Sequence, residues 1–129
     1  MPRILIVEDS PTMRTLLSSA LEELEGSVKI VEAESGFEAL RMLPRERWDL
    51  IVTDVNMPDI NGLELVSFIR HRTGGEATPI LIISTEAAER DRSRALSPGA
   101  TAYLVKPFEA DALVASVREL LPERPSEGP

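Results

Sequence analysis

Ile4-Leu5-Ile6-Val7-Glu8-Asp9-Ser10-Pro11 is a short apolar run that stops on two acids and then on a helix start. Such a run, bounded by turn signals, reads as a buried parallel strand. Ser10 carries a side-chain oxygen able to cap a helix, and Pro11 suits the first helical position, where no backbone donor is needed. Met13, Leu16, Leu17, Ala20, Leu21 and Leu24 then recur on one face at helical spacing, which predicts a helix stopped at Gly26.

The same strand-then-helix grammar repeats along the chain. Val28 to Ala33 predicts a second strand, and Ser35-Gly36 opens a shorter helix through Leu43 that Pro44 ends. Leu50-Ile51-Val52-Thr53 closes on Asp54. The turn-rich loop Met57-Pro58-Asp59-Ile60-Asn61-Gly62 follows, then a helix with Leu63, Leu65, Val66 and Ile69 on its apolar side, closed by Arg70 to Gly75. Ile80-Leu81-Ile82-Ile83 closes on Ser84 and leads to a helix over about 87–97 that is poor in apolar residues and stopped by Pro98-Gly99. Tyr103-Leu104-Val105 closes on Lys106-Pro107. Leu113, Val114, Val117, Leu120 and Leu121 line a final helix, and residues 122–129, with three prolines, predict a flexible tail beyond a domain of residues 1–121.

Five strands alternating with five helices predict an α/β fold: a three-layer doubly wound sandwich on a parallel five-stranded sheet. The first, third and fourth strands are the most continuously apolar and belong at the centre. Val28 to Glu32 alternates and Thr101-Ala102-Tyr103 is mixed, which sends the second and fifth strands to the edges. The order is therefore 2-1-3-4-5. In open parallel sheets ligands bind outside the carboxyl ends of the strands, so Glu8, Asp9, Asp54, Ser84 and Lys106 converge on one edge, with the three acids at the switch point between the first and third strands.

Composition narrows what that edge serves. The chain has 129 residues, enough for one domain with its own core, and a formal net charge of -8 that argues against binding a nucleic acid backbone. There is no cysteine, which removes thiolate metal sites and fits a cytoplasmic protein. Its apolar runs are far below the ~18–20 residues that span a bilayer, and its start lacks the basic segment and cleavage site of a signal peptide. These features predict a soluble protein with no membrane contact.

Three carboxylates at one point repel one another unless a cation neutralises them, and oxygen-only donors favour Mg2+. Asp9 and Asp54 are candidate ligands, with the backbone carbonyl of Asn56; Glu8 acts directly or through ligated water. Asp54, ionised at neutral pH on its ordinary pKa, is a candidate nucleophile toward phosphorus, Lys106 offers a compact charge for a phosphate oxygen, and Ser84 offers a hydroxyl donor. Each residue alone has an ordinary reading. An acid after a strand often caps a helix, a lysine before proline is usually a loop lysine, and Pro58 with Gly62 is a common turn signal. Chance, however, would have to place all of them at the ends of four strands. His71, in a polar stretch, is assigned no chemistry, and Trp48 is expected to cover the base of the sheet. A nucleotide-binding glycine loop is missing, and Asp54-Val55-Asn56 lacks the second Asp of the haloacid-dehalogenase pattern, which disfavours those enzymes.

Val7-Glu8-Asp9-Ser10, Asp54 with Met57-Pro58 and Gly62, Ser84-Thr85-Glu86, and Tyr103-Leu104-Val105-Lys106-Pro107-Phe108 together resemble the receiver domain of two-component response regulators, from Arg3 to about Leu121. The family shares the flavodoxin-like order reached above, so the two inferences are not independent. The resemblance implies that Asp54 accepts phosphate from a histidine kinase, Glu8 and Asp9 support Mg2+, Ser84 and Lys106 hold the phosphoryl oxygens, Tyr103 changes rotamer, and the Lys106-Pro107 bond is cis. It implies a signalling switch that catalyses its own phosphorylation and dephosphorylation rather than an enzyme with an external substrate.

Pro11-Thr12-Met13-Arg14, Asn56 and Glu86 are similar to the single-domain chemotaxis type, and no effector domain is expected after Leu121. Glu8 replaces the more usual Asp of that type, Ser84 replaces Thr, and Thr85 adds bulk where Ala is frequent. By the same resemblance, the target is a protein bound through the 87–97 segment, the fifth strand and the final helix, at Arg90, Arg92, Arg94, Tyr103 and Val114. The three arginines also fit a plain solvated face. Asn56 and Glu86 imply a phosphoryl lifetime of seconds to minutes. A chemotaxis or motility switch, a phosphorelay shuttle and a phosphate-independent docking domain all stay open, as does a monomer against a phosphorylation-dependent dimer.

Overall fold

A computed structural model describes residues 2–24, 28–72, 77–85 and 99–121. Its strands are β1 (Arg3–Val7), β2 (Lys29–Ala33), β3 (Leu50–Asp54), β4 (Ile80–Ser84) and β5 (Ala102–Val105). They form one parallel sheet in the order β2-β1-β3-β4-β5, as expected. The described helices are α1 (Pro11–Leu21), α2 (Gly36–Met42), α3 (Gly62–His71) and α4 (Ala110–Leu120). The helix expected over about 87–97, with Arg90, Arg92 and Arg94, lies outside the described residues, as do Glu86, Gly26, Pro98 and the expected tail.

Successive side chains of a strand point to opposite faces, and here both faces are covered. Leu5, Val7, Ile51, Ile80 and Ile82 pack with Ala39, Leu43, Leu65, Val66 and Ile69 of the α2 and α3 layer. Ile4, Ile6, Leu50, Val52, Leu81 and Ile83 pack with Leu17, Leu21, Leu113 and Val117 of α1 and α4. Burial on both sides is why β1, β3 and β4 read as unbroken apolar runs. The edge strands are only partly buried, in keeping with their mixed composition.

Helix ends show where local signals compete with packing. Ser10 caps α1 by accepting from Met13 N, and Pro11 opens it. The regular part of α1 ends at Leu21, short of the expected stop. Bonds from Glu23 N to Ala20 O and from Leu24 N to Leu21 O tighten the last turn, and Leu24 stays buried. Pro44 does not simply end α2: Leu43–Arg45 is a 3-10 turn that uses the proline at its start. Its carbonyl at Leu43 accepts from Trp48 Nε1 (3.3 Å) and Arg72 Nη2 (3.3 Å), which seats the buried Trp48 just before β3, at the base of the sheet as expected. The expected closure of α3 from Arg70 is also shifted. Arg70 lies inside the helix, and its guanidinium bonds Gly99 O (2.8 Å), Thr78 O and Thr101 Oγ1, binding α3 to the segments that enter β4 and β5. No helix among the described residues is long and apolar enough to cross a membrane.

Candidate functional site

The site grows from the point where the chain leaves β1 for one side of the sheet and β3 for the other. Val7 pairs with Thr53, so the residues just beyond them, Glu8 and Asp54, sit side by side. One carboxylate oxygen from each of Glu8, Asp9 and Asp54 lies within 4.8 Å of those of the other two. Glu8 and Asp54 are 2% and 6% exposed, while Asp9 stands open to solvent. Across the crevice Lys106, at the end of β5, places Nζ 3.2 Å from Asp54 Oδ1 and 3.5 Å from Glu8 Oε1. Sequence reasoning gave Lys106 to a phosphate oxygen; the structure shows it already engaged with two of the acids.

Burial dominates the electrostatics. It pushes the Glu8 carboxyl above its ordinary pKa, and the neighbouring Asp54 charge adds to the rise while Lys106 and the Ser10 backbone N–H oppose it. Asp54 is likewise raised by burial, against the pull of Lys106 and the Val55 N–H, with Asp9 adding repulsion. One lysine does not neutralise three acids. An all-oxygen donor set of this kind, partly buried and short of positive charge, fits a hard divalent cation, and Glu8, Asp9 and Asp54 could hold it.

The remaining strand ends border the same crevice. Ser84 closes β4 and is 1% exposed; its carbonyl accepts from Lys106 N at 2.7 Å, which ties the hydroxyl-bearing and lysine-bearing ends together. The Lys106-Pro107 bond is cis, as the resemblance implied. Asn56 is exposed two residues beyond Asp54, and Thr85 is exposed beyond Ser84. Tyr103 is half-buried on β5 opposite Ile82 and packs toward the α2 and α3 layer. Val114 packs toward the other layer and lines a groove with Glu23, Asp111, Ala115 and Arg118. His71 is exposed, with its ring nitrogen against Ser67 O.

Gly62 is required by a close approach. A Cβ there would stand 2.2 Å from Asp54 O and 2.8 Å from Val55 Cα, and the Gly62 N–H bonds Val55 O (2.8 Å), so the chain after Asp54 folds back directly onto it. Two supports of the site were missed in the sequence. Asp59 accepts from Gly36 N (3.2 Å) and Phe37 N (2.8 Å), pinning the loop after β3 to the start of α2. Arg14 reaches back from α1 to Glu8 O (2.8 Å). A cation in the first turn of a helix whose first turn carries no acid was the available signal for Arg14, because the helix dipole disfavours it there.

A family profile described as the response regulator receiver domain matches residues 4–118. This chain belongs to that family. The receiver is 37% identical over 127 residues to a CheY homolog of Campylobacter jejuni named as a chemotaxis protein, covering 98% of this chain and 97% of the relative. It is 40% identical over 126 residues to a probable transcriptional regulatory protein of Picosynechococcus, covering 92% of this chain and 49% of that longer protein. Among solved structures, the chemotaxis response regulator CheY4 of Vibrio cholerae superposes with a TM-score of 0.87 at 34% identity, over 94% of this receiver and 99% of that chain. Receivers of this CheY-like kind are signalling switches that interact with a histidine kinase and downstream targets.

Proposed function

We propose that this receiver accepts a phosphoryl group on Asp54 from a histidine kinase, with Mg2+ bound at the acidic site, and thereby switches its binding to a protein target in chemotaxis or motility. The observation that carries the reading is the setting of Asp54: nearly buried at a strand end, Lys106 at 3.2 Å, and two further acids within 4.8 Å. A lone structural acid has no use for that company.

Asp9, Asp54 and the Asn56 carbonyl would hold the cation, with Glu8 beside them. When bound, Mg2+ supplies charge neutralisation for the transferring oxygens. The chain's own residues do the rest. An Asp54 oxygen attacks phosphorus as the bond to the kinase's imidazole nitrogen breaks, and the imidazole leaves as the phosphoryl group passes to the carboxylate. Lys106 releases part of its hold on Asp54 to pair with a phosphoryl oxygen, and the Ser84 hydroxyl donates to another. The backbone bond between Lys106 and Ser84 makes those two responses one movement, which reaches Tyr103 along β5. Location in the cytoplasm, where such a kinase would present its phosphohistidine, goes with this reading.

Incubation with a small phosphodonor, followed by intact mass measurement, tests it. A single phosphoryl increment that needs Mg2+ and disappears in Asp54→Asn is expected. An increment that survives the substitution, or is indifferent to chelator, would remove Asp54 from this role.

A further inference from the structure

The Asp9 carboxylate is the most exposed of the three acids, and no hydrogen bond or ion pair holds it among the described residues. The backbone that carries it therefore sets where its Cβ sits and which directions its rotamers can reach. That backbone is braced at one peptide: Arg14 Nη1 donates to Glu8 O at 2.8 Å, fixing the plane that joins Glu8 to Asp9. The bracing continues through the turn. Ser10 N donates to the Glu8 carboxylate (3.2 Å), and Arg14 N donates to Ser10 O (2.9 Å), so Arg14 closes the β1–α1 turn from both its main chain and its side chain.

The guanidinium is itself held in place. Arg14 Nε lies 3.4 Å from Glu32 Oε1, and the other Glu32 oxygen accepts from Ser18 Oγ at 2.6 Å. Glu32 stands on the edge strand β2 opposite Ile6. Three elements thus converge on one side chain whose exposure is only 13%. Arg14 sits in the first turn of α1, where a positive charge works against the helix dipole, and close to a site that collects negative charge for a cation. Charge alone would make it a hindrance to a metal there; hydrogen-bond geometry makes it a brace.

We propose that Arg14 is a positioning residue of the acidic site: by fixing the Glu8–Asp9 peptide it aims the Asp9 carboxylate, and so raises the affinity for a divalent cation despite its own positive charge. The proposal rests on the reading that the three acids bind Mg2+. The two opposed effects give the test a sign. If Arg14 acts only as a nearby charge, removing it tightens Mg2+ binding; if it aims Asp9, removing it weakens binding.

Calorimetric titration of MgCl2 into chelator-treated full-length protein, at constant ionic strength and neutral pH, reads that sign. Arg14→Gln should weaken binding about tenfold, the scale on which groups that orient metal ligands act. Arg14→Lys should recover part of the loss, because its ammonium can reach the Glu8 carbonyl but cannot also span to Glu32. In the metal-free protein, amide exchange at Asp9 and Ser10 should quicken in Arg14→Gln while the β3 amides stay protected. Should Arg14→Gln fail to fold, Glu32→Gln frees the guanidinium from its anchor without touching the turn, and a smaller weakening is expected. Unchanged or tighter binding in the variants, with Mg2+ bound by the wild type, overturns the role of Arg14 and leaves the proposed function standing. A wild type that binds no Mg2+ overturns both.

Discussion

Asp54 is a carboxylate held nearly out of water beside two others, with one lysine in reach, and the chemistry proposed for it comes at a cost to the metal-free fold. Glu8 and Asp54 have folded-state pKa values raised above the ordinary 4.5 and 3.8, with burial the largest cause in each case. The native state therefore binds more protons than the unfolded chain across that window, and stability from these groups is present below the ordinary values and lost as pH rises through the folded ones. Replacing Asp54 by Asn removes one charge and relieves Glu8. In chelator-treated protein, Asp54→Asn should raise thermal stability at neutral pH by about 1–2 kcal/mol, the scale of a buried charge left incompletely compensated. The advantage should shrink as pH falls toward the ordinary carboxylate range. Thermal unfolding of both proteins across pH reads it, and a wild type that equals or exceeds the variant at neutral pH would contradict the cause assigned.

At the scale of elements, α2 begins under two caps that come from different parts of the chain. Ser35 Oγ accepts from Glu38 N (3.1 Å), a local signal, while Asp59 takes the Gly36 and Phe37 donors from across the gap to the β3–α3 loop. Its slight burial works upward, but the N–H groups of Phe37, Ile60, Gly36 and its own backbone hold the Asp59 carboxyl below the ordinary range. The linkage sign is opposite to that of Asp54. Stability from Asp59 is present above the ordinary 3.8 and lost as pH falls through the folded value. Asp59→Ala should cost about 1 kcal/mol at neutral pH, the worth of an N-terminal cap, and the difference from wild type should narrow in acid. Because the same loop folds back onto Asp54 at Gly62, the variant should also broaden or shift the Asp54 and Val55 amide resonances. A variant with wild-type unfolding at neutral pH would make the two bonds incidental.

Across the whole molecule, two apolar layers clamp a sheet whose central strands are sealed on both faces and whose edges are not. Rigidity should follow that division. The bond from Lys106 N to Ser84 O couples the end of β5 to the end of β4, beside the crevice, and β5 is the less buried of the two. A non-hydrolysable phosphoryl mimic added with Mg2+ should therefore shift amides at Ser84 and from Tyr103 to Lys106, while Ile4 to Ile6 in the sealed centre barely respond. Shifts confined to Glu8, Asp9 and Asp54 would favour a docking domain with an idle switch.

The order of strands, the strand-end residues and the caps Ser10 and Ser35 are legible in the sequence because each is written within a few residues. A fully buried strand must be apolar on both faces, and a cap must lie next to its helix. Parallel connectivity then sends every strand end to one edge, so Glu8, Asp9, Asp54, Ser84 and Lys106 can be gathered without coordinates. What the tertiary structure decided are the bonds between side chains and distant backbone groups: Arg14 on the Glu8 carbonyl, Asp59 on α2, Arg70 on Gly99 and Thr78, and Lys106 between two acids rather than waiting for a phosphate. It also sent Val114 and Tyr103 to different layers. No local pattern names the partner in such contacts, because a long polar side chain satisfies a donor or acceptor wherever packing leaves one within reach, and only the assembled fold specifies where that is.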